Sequence, residues 1–341
     1  MDRFRRPPAT FEPVPGPCGP ANAMSMRSYL DFEKPVAELE AKIDELRGLN
    51  TDASGAIGEE LKKLEARAGK ALVDLYASLT PWQKTQVARH QNRPHFADYI
   101  SQMIEEFTPL AGDRKFGEDE ALVAGFGRFR GRSVCVMGQE KGFDTESRLR
   151  HNFGMTRPEG YRKAVRLMEM ADRFGLPVIS LVDTAGAFPG IDAEERGQAE
   201  AIARSTEACL DLGVPNVAVI VGEGGSGGAV AIATANRVLM LEHSIYTVAS
   251  PEASASILWR DSGRRQDAAT NMKITAQDLL KFGIIDGIIA EPAGGAHRNP
   301  AAMIKAAGDA IEKALGDFKG MSPDAIRQAR AEKFLAMGRK L

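Results

Sequence analysis

Two segments of this chain each join an apolar run to a cluster of glycines, and together they constrain the fold more than any other feature. Val217 to Ala235 reads VAVIVGEGGSGGAVAIATA: an apolar strand, the glycine loop Gly222-Glu-Gly-Gly-Ser-Gly-Gly228, then a helix of small residues. Leu181 to Gln198 reads LVDTAGAFPGIDAEERGQ, a second strand end with Gly186, Pro189 and Gly190. It leads into a helix that Asp192 is placed to cap, with Glu195 three residues on. A helix that starts directly after glycines presents unpaired N–H groups and a partial positive charge, and nothing bulky keeps an oxygen away from them. If the two strands are neighbours, two such helix starts lie side by side.

The surrounding pattern makes them neighbours in a covered sheet. Ala121 to Phe129 and Ser133 to Gly138 are short apolar runs separated by Arg130-Gly131-Arg132, a hairpin signal. Tyr161, Ala164, Val165, Met168, Ala171 and Phe174 recur at helical spacing. Pro177 to Asp183 is the next strand, a helix is expected from about Glu194 to Leu212, and Val217 to Val221, Val238 to Leu241 and Tyr246 to Ala249 are further strands. Strands that are apolar throughout need helices on both faces, which defines an α/β fold.

Ahead of this lies a helical region. Val36, Leu39, Ile43, Leu46 and Leu49 form one stripe and Ile57, Leu61, Leu64, Ala68, Ala71, Leu75 and Leu79 another, parted by the polar break Asn50–Gly55. The pattern predicts an antiparallel helical hairpin packed on its own domain or on a partner. Thr80-Pro81-Trp82-Gln83 reads as a capping box that starts another helix. Residues 1–23 carry six prolines and hardly any aliphatic side chains; they are expected to be a disordered leader, with Met24 and Met26 as alternative starts. The tail from Pro300 is helical, with Asn299-Pro300 and Ser322-Pro323 as helix starts. The resulting division is a leader at 1–23, a helical region at 24–110, the main domain at 111–319 and a C-terminal helix at 320–341.

Composition narrows the function. Lys and Arg number 44 against 46 Asp and Glu, a net charge of -2, so no basic field recruits nucleic acid. Cys18, Cys135 and Cys209 form no CxxC pair, which argues against a zinc site or disulfide framework and for a cytoplasmic protein. No apolar run reaches the roughly 18 residues that a membrane span needs.

Several chemistries compete for the glycine loops. A Walker A loop fails, because Ala229 follows Gly228 where Lys is required. A dinucleotide fingerprint remains open, since Gly222, Gly224 and Gly227 satisfy G-x-G-x-x-G after a strand and Glu242 lies about 20 residues on. A third reading is an oxyanion hole built from amides at the helix start, and a fourth is a tight turn and nothing more. The second glycine loop favours the oxyanion hole, because a dinucleotide fold needs one fingerprint, normally at its first strand. The residues expected to line it are Gly186, Ala187, Gly190, Gly224, Gly225 and Ser226. None of His90, His95, His151, His243 and His297 stands in a nucleophile motif, and His297 is read as structural. Arg148, Arg150, Arg157, Arg162 and Lys163 form a basic cluster that is either a phosphate contact or surface charge. Trp259 is expected in the core.

The order DTAGAFPGxxAEERGQxEAIA, GEGGSGGAxAI, SPExxASILW and EPxGGAHRNP, with LDFEKPVAELEAKIDEL, HQNRPHFADYI, LAGDR and NFGMTRPEGYRKAVRLMEMA before it, resembles the alpha subunits of bacterial acetyl-CoA carboxylase carboxyltransferase. The resemblance covers about Tyr29 to Leu315 and leaves the leader and the last helix outside. Ala185 stands where the family's loop has proline, which removes a fixed φ but no amide. The resemblance implies a crotonase-like (ClpP/crotonase) superhelical fold with an N-terminal helical hairpin. It also implies transfer of a carboxyl group from biotin on a carrier protein to acetyl-CoA, giving malonyl-CoA, the first step of fatty acid synthesis. The implied partners are a beta subunit in an α2β2 assembly, the biotin carboxyl carrier protein and biotin carboxylase; no metal is implied for this chain. Gly227 and Gly228 correspond to the family's oxyanion pair for the biotin oxygen. The alternatives are a single-chain enoyl-CoA hydratase or isomerase of the same fold, which would carry a catalytic Glu, a non-catalytic scaffold, or a nicotinamide-dependent enzyme using Gly222-Gly224-Gly227.

Overall fold

The computed structural model describes residues 28–49 and 56–339. The leader expected to be disordered and the polar break Asn50–Gly55 lie outside the described residues. Helices α1 (Lys34–Leu49) and α2 (Ala56–Ala77) form the N-terminal hairpin, tied across by Arg47 to Glu65 at 2.7 Å. Val36, Leu72, Tyr76 and Leu79 turn inward and meet Val87 of α3 (Pro81–Ala88). Helix α3 begins as its sequence predicts: the Gln83 amide donates to Thr80 Oγ1 and the Thr80 amide to Gln83 Oε1. After α4 (Phe96–Met103) come β1 (Ile104–Pro109), β2 (Leu122–Phe129) and β3 (Arg132–Gln139). Arg130 and Gly131, at φ 49° and 77°, make the tight β2–β3 turn that the right-handed strand twist favours.

Helices α5 (Thr145–Arg150) and α6 (Pro158–Phe174) then lead to β4 (Val178–Thr184), and α7 (Ile191–Glu195) and α8 (Gln198–Asp211) to β5 (Asn216–Gly225). Next are α9 (Ser226–Ala233), β6 (Arg237–Leu241), β7 (Ile245–Thr247), α10 (Pro251–Trp259), α11 (Arg265–Asn271), α12 (Ala276–Lys281) and β8 (Gly287–Ile289). Helices α13 (Pro300–Gly316) and α14 (Pro323–Ala336) complete the chain, each started by the expected cap, Asn299 and Ser322.

The strands form one sheet in the order β1-β2-β3-β4-β5-β6-β8, antiparallel through β3 and parallel beyond it. Alternate residues divide between two cores. Cys135, Met137, Ala218 and Ile220 pack under α6, α8 and α9, while Val134, Val136, Val217, Val219 and Val221 pack against α4 and α13. Helices thus cover both faces, as the apolar strands require. Strand β5 changes neighbour along its length: Val217–Ile220 pair with β6, and Glu223–Gly225 pair with β7.

Four sequence expectations need correction here. The run from Gly222 to Gly225 is not a loop but the end of β5, because β7 supplies partners for its backbone. The helix expected from about Glu194 to Leu212 is two helices, parted by Gly197 at φ +81°; the α7 N-cap is Gly190, and Asp192 lies inside the first turn. Trp259 is half-buried, not core: the Arg264 guanidinium lies 4.4 Å from its ring centroid, and its neighbours Ile257 and Leu258 are exposed.

The hairpin is held to the body by Arg298, which pairs with Glu40 at 2.8 Å and Glu33 at 3.3 Å. Beside it His90 and His297 stack with ring centroids 3.8 Å apart, and His90 Nε2 lies 3.1 Å from the Ser28 carbonyl. Burial, then the charges of His90, Arg93 and Arg298, push His297 down to about 3. It is therefore neutral in the fold, whereas the unfolded imidazole takes a proton below about 6.5. Its contribution to stability is complete above that pH and is lost as pH falls toward 3. A His297→Phe variant is expected to reduce the pH slope of unfolding free energy between pH 6 and 4 by about 1.4 kcal/mol per pH unit, measured by denaturant titration; an unchanged slope contradicts the assignment.

Candidate active site

The carboxyl ends of β3, β4 and β5 converge on one place, where ligands bind in open parallel sheets. Gly225 and the first turn of α9 lie directly on the backbone of Ala185, Gly186 and Ala187, which follow β4. A Cβ at Gly228 would stand 2.8 Å from the Gly186 carbonyl carbon and 3.0 Å from the Ala187 nitrogen, and one at Gly225 would overlap the Ala185 carbonyl. The two glycine segments are therefore neighbours, as expected, and touch main chain to main chain. A helix start faces the site from only one of them: the segment after β4 passes through Phe188 and Pro189 before the five-residue α7.

Gly227 and Gly228 occupy the first turn of α9, whose leading amides have no intrahelical acceptor. No side chain caps this helix, and among the described residues no loop carbonyl takes either amide. Gly227 is partly exposed and Gly228 buried. Ser226, exposed, turns the chain from strand to helix at φ +50°, a left-handed conformation that costs a non-glycine residue about 1 kcal/mol. Gly224-x-Ser226-x-Gly228 has the spacing of a nucleophile elbow, a signal the sequence reading passed over. Among the described residues no histidine hydrogen-bonds the Ser226 hydroxyl, so what the elbow displays is amides.

The other expected residues divide. The Ala187 amide has no acceptor among the described residues and lies against Gly228. The Gly186 amide is occupied: it donates to Thr184 Oγ1 at 3.1 Å, while that hydroxyl donates to the Gly186 carbonyl at 2.7 Å. Gly190 accepts from Ala193 and Glu194 as the α7 cap, and Gly224 and Gly225 are strand residues bonded to β7. Of the basic cluster, Arg162 pairs with Asp113 and Glu159, buried Lys163 with Glu118, Arg157 with Asp192 and Arg150 with Glu120; they serve the fold, and only Arg148 among them has no ion pair among the described residues.

Beneath the glycine segments lies a charged layer that the sequence reading did not single out. Lys141 Nζ reaches Asp183 Oδ1 at 2.7 Å and Glu223 Oε2 at 3.1 Å, and Arg89 holds the other Glu223 oxygen at 2.7 Å and Glu252 at 2.7 Å. Asp183 also accepts from the Glu223 amide at 2.9 Å and lies 3.4 Å from His95 Nδ1. Burial would raise the Asp183 carboxyl, but the Lys141 ammonium and the contact with His95 together outweigh it and hold that carboxyl well below the usual range. Gly222 leaves room for this carboxylate, since a Cβ there would collide with it. Asp183 and Glu223 end adjacent parallel strands, a position that could have flagged them; nothing local marks Arg89, which arrives from 134 residues away in sequence. Held by Lys141, Arg89 and the Glu223 amide, these carboxylates are not free to act as the acid/base that a hydratase needs. The dinucleotide reading fails too, because Gly222 and Gly224 belong to a strand.

The fold is that of crotonase-type carboxyltransferases, as superposition on two solved structures shows. Transcarboxylase 12S superposes with a TM-score of 0.51 at 21% identity, over 65% of this chain and 44% of that one. A Pseudomonas malonate decarboxylase hetero-dimer superposes with a TM-score of 0.51 at 16% identity, over 63% and 88%. The acetyl-coenzyme A carboxylase carboxyl transferase subunit alpha of Rhodopseudomonas palustris (strain BisA53) is 75% identical over 316 residues, 93% of this chain and 98% of the relative. That of Beijerinckia indica is 73% identical over 317 residues, 93% and 100%. The family model described as acetyl co-enzyme A carboxylase carboxyltransferase-like matches residues 29–338, and the chain belongs to this family. That span includes α14, so the likeness extends beyond the Leu315 limit drawn from the motifs.

Proposed function

We propose that this chain is the carboxybiotin-handling half of a two-chain carboxyltransferase that makes malonyl-CoA from acetyl-CoA. The observation that carries the reading is the pair of amides at Gly227 and Gly228, which meet no acceptor among the described residues, are fixed at the start of α9 and are walled by the peptide groups of 185–187. Biotin on its carrier supplies the carboxyl group. A planar ureido oxygen fits this donor set, because the wall there is main chain and two N–H groups need an acceptor. The amides hold negative charge on that oxygen, and the neighbouring Ala187 amide extends the donor row. The layer of Lys141, Asp183, Glu223 and Arg89 keeps the two strand ends in place.

The resemblance to the family assigns the enolate half of the chemistry to a second polypeptide, the beta subunit, in an α2β2 assembly. The carrier protein and biotin carboxylase complete the pathway. A cytoplasmic site of action follows from this role; no helix among the described residues is long and apolar enough to cross a membrane.

The test is malonyl-CoA decarboxylation in the presence of free biotin, with the purified chain alone and mixed with the beta subunit of its own species. Turnover is expected only in the mixture. Turnover by the chain alone, or tight binding of NAD, overturns the reading.

A further inference from the structure

Gln139, the last residue of β3, is fully buried, and its amide group spans the site from below. Its Oε1 accepts the Asp183 amide at 3.2 Å and its Nε2 donates to the Gly228 carbonyl at 3.0 Å. The β3–β4 ladder stops at Gly138 and Leu181, so the buried Asp183 N–H has lost its strand partner and the glutamine replaces it. At its other end the side chain grips the first turn of α9, one peptide from the proposed oxygen-binding amides. One side chain thus fixes α9 relative to the strand that carries the opposing wall. An apolar residue of equal size would fill the same space and leave both backbone groups without this link, so packing alone does not account for a primary amide here.

We infer that Gln139 is a positioning residue for carboxyl transfer, setting the aim of the Gly227 and Gly228 amides without touching substrate. The inference rests on the function proposed above. A donor displaced by a fraction of an ångström loses much of its grip on a developing charge, and misplacements near 1 Å cost on the order of 10²-fold in rate.

The test compares Gln139→Met, Gln139→Glu and Ser205→Ala with the wild type, each in the full chain assembled with its beta partner. Gln139→Glu keeps an acceptor for the Asp183 amide and loses the donor to Gly228. Ser205 donates to the Ala231 carbonyl at 2.6 Å, so its removal costs α9 one buried hydrogen bond at the end away from the site. Gln139→Met is expected to lower kcat for malonyl-CoA decarboxylation about 10- to 100-fold with KM for malonyl-CoA unchanged, and Gln139→Glu to do the same. Hydrogen exchange of the peptide spanning α9 is expected to quicken in both, while Ser205→Ala keeps its kcat within about twofold. Two results overturn the inference: either glutamine variant keeping wild-type kcat, or all three variants losing kcat in step with their melting temperatures. An inactive wild-type mixture overturns instead the proposed function, a distinguishable failure.

Discussion

A valine at Gly228 is expected to lower kcat for carboxyl transfer by on the order of 10²–10³ while the chain still folds and joins its partner. The reason is steric and local. The new Cβ would lie 2.8 Å from the Gly186 carbonyl carbon and 3.0 Å from both the Gly186 oxygen and the Ala187 nitrogen, all of them backbone atoms that cannot rotate away. Either α9 or the 185–187 segment must retreat, and the donor row opens. Gly227 is different: a Cβ there meets only the side chain of Ile202, its Cδ1 and Cγ2 both at 3.3 Å, so Gly227→Ala is expected to keep most of the activity. Steady-state kinetics with the assembled enzyme, beside size-exclusion chromatography, reads both variants. Equal losses at the two positions would refute this account of the wall.

The second large effect is expected on stability, far from the site. Arg330 of α14 is fully buried, and all its partners are neutral: Asn216 Oδ1 at 3.0 Å, Asn236 Oδ1 at 2.5 Å, and the carbonyls of Leu210, Leu212 and Val214 at 2.7–3.1 Å. Burial pushes the guanidinium down to about 10, so it remains charged at neutral pH. Asn216 and Asn236 are themselves linked, and Asn236 Nδ2 reaches back to the Ile326 carbonyl at 3.0 Å. This cluster fastens the last helix to the end of α8, the start of β5 and the turn before β6. Arg330→Met conserves much of the volume but takes the guanidinium away from the Leu210, Leu212 and Val214 carbonyls, and leaves Asn216 Oδ1 and Asn236 Oδ1 only each other's backbone amides. A loss of about 3–5 kcal/mol is expected, seen as a melting temperature lower by roughly 10 °C. Faster tryptic cleavage near Lys319 would accompany it. A drop of less than a few degrees would mean that α14 is held by its apolar face alone.

What the sequence discloses about this fold depends on the range of the interaction. The caps at Thr80, Asn299 and Ser322 were legible because donor and acceptor lie three residues apart. The covered sheet was legible because both faces of each central strand are apolar. The glycine run 222–225 was misread for the complementary reason: glycines signal a loop locally, and only β7, 20 residues later, makes them a strand. The break at Gly197 escaped because periodicity continues across it. At the site, the glycine motifs located the amides of Gly227 and Gly228, but not the side chains that hold them. Gln139, Lys141 and Arg89 act on residues 40 or more positions away, and no spacing rule encodes such contacts.

The wall formed by 185–187 against Gly225 and Gly228 consists of peptide groups, which are the same in every protein. Substitution can break such a surface but cannot retune it, because it offers no side chain to exchange. Differences in acyl group accepted by enzymes that share this wall must therefore be written on surfaces that carry side chains, and redesign of that preference should begin there.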